Sequence, residues 1–209
     1  PENEVDSTMS EINVITFGLQ AFVTLLVILD PPGATPIFLG VLRNKTRQER
    51  TKAAWQAAAN KGILNVWSAG NNSKVDPNYY AALPTLVSGL ASTWITVVGT
   101  DQTGKLASWS NACGIAKAYC MAAPGDKIIA NYGTNTWGVG SGTSFAAPMV
   151  SGAAALMMQK WPTLTGNQIQ QILFTTANKA GVYANTALYG QGMLDLTKAF
   201  SPVGTLTVK

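Results

Sequence analysis

Gly140-Ser141-Gly142-Thr143-Ser144-Phe145-Ala146-Ala147-Pro148, followed by Met149-Val150-Ser151-Gly152, is the stretch whose reading decides the fold. Small residues let the chain turn tightly and leave Ser144 at the start of a helix read over 144–160. That helix is rich in Ala, Gly and Met, which predicts burial nearly all round. Pro148 is expected to fit near its start, where amides lack an intrahelical acceptor anyway. A hydroxyl so placed feels the positive helix end, which favours developing negative charge beside it. Gly152 and Ala153–Ala155 carry almost no side chain, so neighbouring elements are expected to approach closely. A Ser that merely caps a core helix remains the alternative reading of these residues.

Working outward, Trp161-Pro162 stops the helix, and Thr165-Gly166-Asn167-Gln168 has the spacing of a capping box opening another helix to about Ala177. Upstream, Ile63–Ala69 and Ile95–Thr100 read as buried strands, Gly70-Asn71-Asn72 as a turn, and Lys127–Tyr132 as a shorter strand. Thr46-Arg47-Gln48-Glu49 repeats the capping-box spacing, and an alanine-rich helix follows to about Asn60 with Gly62 as its left-handed terminator. Apolar strands alternating with helices point to an α/β domain on a mostly parallel sheet.

The chain of 209 residues is long enough for one domain with a real core, or one domain and a short appendage. Hydrophobic residues are 47 % and charged residues 11 %, which excludes a long disordered tail. A net charge of +4, with no basic stripe studded by aromatics, argues against a nucleic-acid partner. Two cysteines and no histidine leave no set of zinc or haem ligands, so neither metal nor cofactor is expected. The same absence removes imidazole as a general base. The chain begins at Pro1 rather than Met, which fits a fragment.

Charge divides the sequence. Residues 1–42 hold five acids and no base, whereas 43–61 hold six bases against Glu49 alone. From Ile12 to Leu29 run 18 uncharged residues, which as a helix would measure roughly 27 Å, close to a bilayer's hydrocarbon core. Asp30-Pro31-Pro32-Gly33 breaks it, and Pro36–Leu42 is a second apolar run. Membrane association through Ile12–Leu42 would leave the following bases on the cytoplasmic side; a buried core helix is the alternative. A signal peptide fits worse, because the flank before the run is acidic.

The pattern G-T-S-x-A-x-P with S-G after it, at Gly142, Thr143, Ser144, Ala146, Pro148, Ser151 and Gly152, resembles the nucleophile segment of the subtilisin-like serine proteases. Ala69-Gly70-Asn71 is similar to that family's A-G-N. Trp109-Ser110-Asn111 approximates its Phe-Ser-Asn, and Ala123-Pro124-Gly125 its Ala-Pro-Gly. Tyr189 through Asp195 and on to Gly204 resembles the closing segment of autotransporter subtilases. The likeness covers roughly residues 55–205.

This resemblance implies a three-layer α/β fold, an incomplete subtilisin-like domain over 51–205; the N-terminal hydrophobic helical segment over 1–50, read from its uncharged run, would precede it. It implies Ser144 as nucleophile, and Asn71 with the Ser144 amide as holders of the oxyanion. Ser68, Ala69, Gly70, Gly142 and Thr143 would bind a peptide or protein substrate, with the loop after Pro84 nearby. It also implies a disulfide between Cys113 and Cys120, and so an exported compartment, periplasm, outer membrane or beyond; two buried free thiols are the alternative. In the family the triad runs Asp, His, Ser. Here no His-Gly-Thr exists, and Val5-Asp6-Ser7-Thr8 only approximates the Asp segment, so inactivity of the single chain is expected. A Ser–Lys dyad with Lys74 or Lys105 has no support in the spacing.

Residues 9–50, with Asp30-Pro31-Pro32-Gly33 and Pro36-Ile37-Phe38-Leu39, resemble the start of MarC-family multi-pass inner-membrane proteins. That resemblance implies a chimeric frame, with two parts meeting near Lys52–Ala58 and an inner-membrane location as the alternative to export. Cytoplasmic bases and an exported disulfide conflict in one simple topology, which also favours two origins.

Overall fold

The computed structural model describes Thr46 and residues 62–87, 89–134 and 136–201. The chain divides into two units, Pro1–Thr51 and Lys52–Lys209, and every described residue but Thr46 belongs to the second. The hydrophobic segment 1–45 and the rest of the helix read over 46–60 lie outside the described residues. Gly62 itself has φ +71°.

Three parallel strands, β1 (Asn65–Ser68), β2 (Trp94–Thr100) and β3 (Cys120–Pro124), pair in the order β1-β2-β3. Val66 lies opposite Ile95, and Val97 opposite Met121. An antiparallel hairpin follows, β4 (Ile128–Gly133) with β5 (Thr136–Gly140). Helices α1 (Thr143–Lys160), α2 (Gly166–Thr176), α3 (Thr186–Tyr189) and α4 (Leu196–Ala199) complete the chain.

All seven residues of β2 are buried, because both faces of the sheet are covered. On one face Ile95, Val97, Met121 and Ala123 pack with Ala146, Val150, Ala153, Ala154 and Met157 of α1 and Ile169, Ile172 and Leu173 of α2. On the other, Trp94, Val98 and Ala122 pack with Leu83, Val87, Leu90, Ala116, Tyr119 and the Cys113–Cys120 disulfide. Each large apolar side chain buried there contributes about 1.5–3 kcal/mol. That makes three layers, of which the second outer one is built from loops and short 3-10 turns rather than helices.

Several readings shift. The first strand is Asn65–Ser68, shorter than the run Ile63–Ala69, since the neighbouring ladder begins only at Trp94. β3 was not legible at all: Cys-Met-Ala-Ala-Pro has no β-branched residue and no alternation, yet it is buried beside β2. Helix α1 buries one face only, Thr143, Ala146, Ala147, Val150, Ala153, Ala154 and Met157, at helical spacing. Met149, Leu156 and Met158 are exposed on the rest of it. Gly152 is exposed, with open space where a Cβ would stand, so the close approach runs through the alanines instead. Pro148 is the sixth residue of α1, beyond the first turn, so its missing N–H leaves the Ser144 carbonyl without its usual partner.

The capping box of α2 forms as read. Thr165 accepts from the Gln168 amide, and Gln168 accepts from the Thr165 amide. The outer edge of β3 is closed by residues 190–194, with Gln191 donating to Cys120, Ala122 to Gly192 and Leu194 to Ala122. Among the described residues no helix is long and apolar enough to cross a membrane, and Ile12–Leu42 is not among them.

Candidate functional site

Gly142 is the turn from which α1 starts. Its φ of +154° and its N–H bond to the Gly125 carbonyl at 2.8 Å bring the hairpin's exit against the end of β3. A Cβ at Gly125 would stand 3.0 Å from the Gly142 carbonyl oxygen, so the two glycines permit the crossing. Ser141 donates to Asp126 at 2.7 Å and accepts from the Lys127 amide at 2.9 Å, which tethers the same turn from outside. Thr143 is therefore buried, and Ser144, one residue on, is exposed at the positive end of an 18-residue helix.

The other wall comes from the end of β1. Ser68 is half-buried, and Ala69 and Gly70 are buried. Ala69 is pinned to the sheet by donating to the Val97 carbonyl at 2.9 Å. Gly70 has φ +111°, and a Cβ there would lie 2.4 Å from the Asn78 amide nitrogen and 2.6 Å from that of Asn111. Only glycine fits.

Thr143 joins the two walls. Its hydroxyl accepts from the Gly70 amide at 3.1 Å and donates to Asn71 Oδ1 at 2.8 Å. Its own amide also donates to Asn71 Oδ1 at 2.8 Å. Two donors on one atom fix which way the Asn71 amide faces. Its nitrogen then lies 3.3 Å from the point a Gly142 Cβ would occupy, and Ser144 Oγ lies 3.0 Å from that point. A hydroxyl and an amide donor thus flank one small space at a helix N-terminus, an arrangement suited to an oxygen that gains negative charge.

Ser144 Oγ has no hydrogen-bond partner among the described residues, so neither Lys74 nor Lys105 is bonded to it. The Lys74 amide donates to Asn111 Oδ1, 37 positions on, and the Lys105 amide to Asp101 Oδ1 within its own turn. Pro84 lies in the 3-10 turn Leu83–Thr85 and is itself buried. Cys113 and Cys120 are joined in a disulfide. Among the described residues no three Cys, Asp or Glu gather as a metal ion would require. Sequence reasoning passed over Asn111 as a site residue, although Trp109-Ser110-Asn111 carried the signal. Asn78 gave no signal, because only the folded loop brings it to Gly70.

The chain is similar to proteins of one family. The Subtilase family matches residues 39–192. The Neisserial autotransporter lipoprotein NalP of Neisseria meningitidis serogroup B is 35 % identical over 156 residues, covering 68 % of this chain and 14 % of that protein. Subtilisin DY of Bacillus licheniformis is 31 % identical over 148 residues, covering 71 % of this chain and 50 % of the relative. The self-cleaved protease domain of PatA superposes with a TM-score of 0.63 at 27 % identity, over 73 % of this chain and 54 % of that structure. The chain thus spans about half the length of subtilisin DY and a small part of the autotransporter. The matched region opens at residue 39, inside the segment read as MarC-like, and the MarC resemblance gains no support. Over most of its length, and in a subtilisin-like α/β fold, this chain belongs to the subtilase family.

Proposed function

We propose that this chain carries the nucleophile and the anion cradle of a subtilisin-like serine endopeptidase. Given a general base to take its proton, Ser144 Oγ would attack the scissile carbonyl of a peptide or protein substrate, and the oxygen that becomes negative would be held by the Asn71 amide and the Ser144 backbone N–H. Half-buried Ser68 flanks the substrate beside it, and Ala69, Gly70, Gly142 and Thr143, buried behind, form the backbone of that binding wall. The single observation that carries the reading is the shared position of Asn71 Nδ2 and Ser144 Oγ about Gly142.

Attack requires that the hydroxyl lose its proton, and the chain holds no histidine to take it. The unpartnered Ser144 Oγ accords with that. By itself, then, the chain does not turn over peptides, since loss of the triad His costs about a millionfold in turnover. An oxidising, exported location is favoured by the buried disulfide and by the names of the autotransporter and extracellular relatives. The alternative, a non-enzymatic MarC-type membrane-associated protein, rests on residues 9–50 alone and is not favoured.

A fluorophosphonate probe tests the reading. The expected result is labelling no faster than that of Ser144→Ala. Rapid labelling abolished in Ser144→Ala would support the nucleophile and overturn the inertness.

A further inference from the structure

Asn111 belongs to no strand or helix and is fully buried, yet the hydrogen bonds of its side chain all go to another part of the chain. Oδ1 accepts from the Asn72 amide at 2.9 Å and the Lys74 amide at 3.0 Å. Nδ2 donates to the Ala69 carbonyl at 3.1 Å and to Asn78 Oδ1 at 3.3 Å. Its backbone N–H donates to the Gly70 carbonyl at 2.9 Å. Every capacity of the side-chain amide is thus used, and every partner but Asn78 lies within three residues of Asn71.

The loop needs such a hold. Gly70 and Ser73 both have positive φ, +111° and +54°, and a non-glycine residue in that region persists only when its surroundings enforce it. Two amides of this exposed loop, those of Asn72 and Lys74, turn inward to Asn111. A single acceptor that takes both of these N–H groups therefore sets the path of residues 69–74.

We infer that Asn111 is the positioning residue of the anion cradle. By holding residues 69, 70, 72 and 74, it presents Asn71 so that Oδ1 meets Thr143 and Nδ2 faces Gly142 and Ser144. Its catalytic meaning rests on the reading of Asn71 as oxyanion donor, but the positioning itself does not.

The test monitors the nuclear Overhauser contact between the Asn71 side-chain amide protons and Gly142 Hα in the full chain. Methyl signals of Ile95, Val97 and Leu173 report the core in parallel. Asn111→Ala is expected to abolish the contact with the core signals unchanged, and Asn111→Asp, which retains the acceptor for Asn72 and Lys74, to restore it. Persistence of the contact in folded Asn111→Ala overturns the proposal. Should the alanine variant not fold, Asn111→Ser, which removes both donors and draws the acceptor back from Asn72 and Lys74, decides: loss of the contact with an intact core supports the proposal, and a retained contact overturns it. A peptide boronate examines the underlying reading separately. If wild type shows the contact and both proteins, wild type and Asn71→Ala, bind the boronate measurably and equally, Asn71 is not an anion donor, and the positioning by Asn111 stands.

Discussion

At the scale of single residues, the site depends on positions where a methyl group is too much. Gly70 is the sharpest case, because its backbone angle and its two amide neighbours both exclude a side chain. Gly70→Ala combines left-handed strain of about 1–2 kcal/mol with overpacking of about 1–3 kcal/mol, so a loss of about 2–5 kcal/mol is expected. A denaturant midpoint measured at unchanged slope checks it. The Ala-Gly-Asn triplet was legible in the sequence, as was Ser144. What filled the space in front of Gly70 was not, since Asn78 and Asn111 are 8 and 41 positions away and neither spacing has a helical or strand period.

Among the elements, those with local rules were legible and those without were not. Helix α2 announces itself by its capping box, and β2 by a run of β-branched residues. The one-sided burial of α1 was obscured because its outward face carries Met149, Leu156 and Met158, as apolar as its inward alanines. The turn after β2 is held by a single carboxylate. Asp101 Oδ1 accepts from the Thr103 amide at 2.8 Å, the Thr103 hydroxyl at 2.7 Å and the Lys105 amide at 3.1 Å. The hydrogen bond from the Thr103 side chain, chiefly, holds this carboxyl below its usual range. A depressed folded value means the hold is fully present above the unfolded carboxyl range, near 3.9, and is lost as pH falls through the lower folded value. The protection of the Thr103 and Lys105 amides, measured against the intrinsic exchange rate at each pH, is therefore expected to be unchanged from about pH 7 to 5 and to fall only in acid below that range. A loss of protection already between pH 7 and 5 would refute the assignment.

For the molecule as a whole, the sheet is secured on its β3 side by a segment distant in sequence. Residues 190–194 bond to Cys120 and Ala122, and Gly190 lies so close to the disulfide that its Cβ would meet Cys113 Sγ at 3.0 Å and the Cys120 carbonyl closer still. The disulfide thus braces the 3-10 turn Gly114–Tyr119 against the closing segment. Replacing both cysteines by serine is expected to lower stability by about 2–3 kcal/mol, the cost of opening so short a loop. A thermal midpoint unchanged from wild type, with the wild-type disulfide verified by mass, would contradict it.

The sequence by itself determined the family, the nucleophile segment, the Ala-Gly-Asn turn and the lack of an imidazole, because each is written in contiguous residues or in composition. Tertiary structure alone decided that Thr143 locks the Asn71 amide, that Asn111 holds the loop, and that residues 190–194 close the sheet edge. These are hydrogen bonds between segments tens of residues apart, and their directions depend on how the backbone of each partner is already turned.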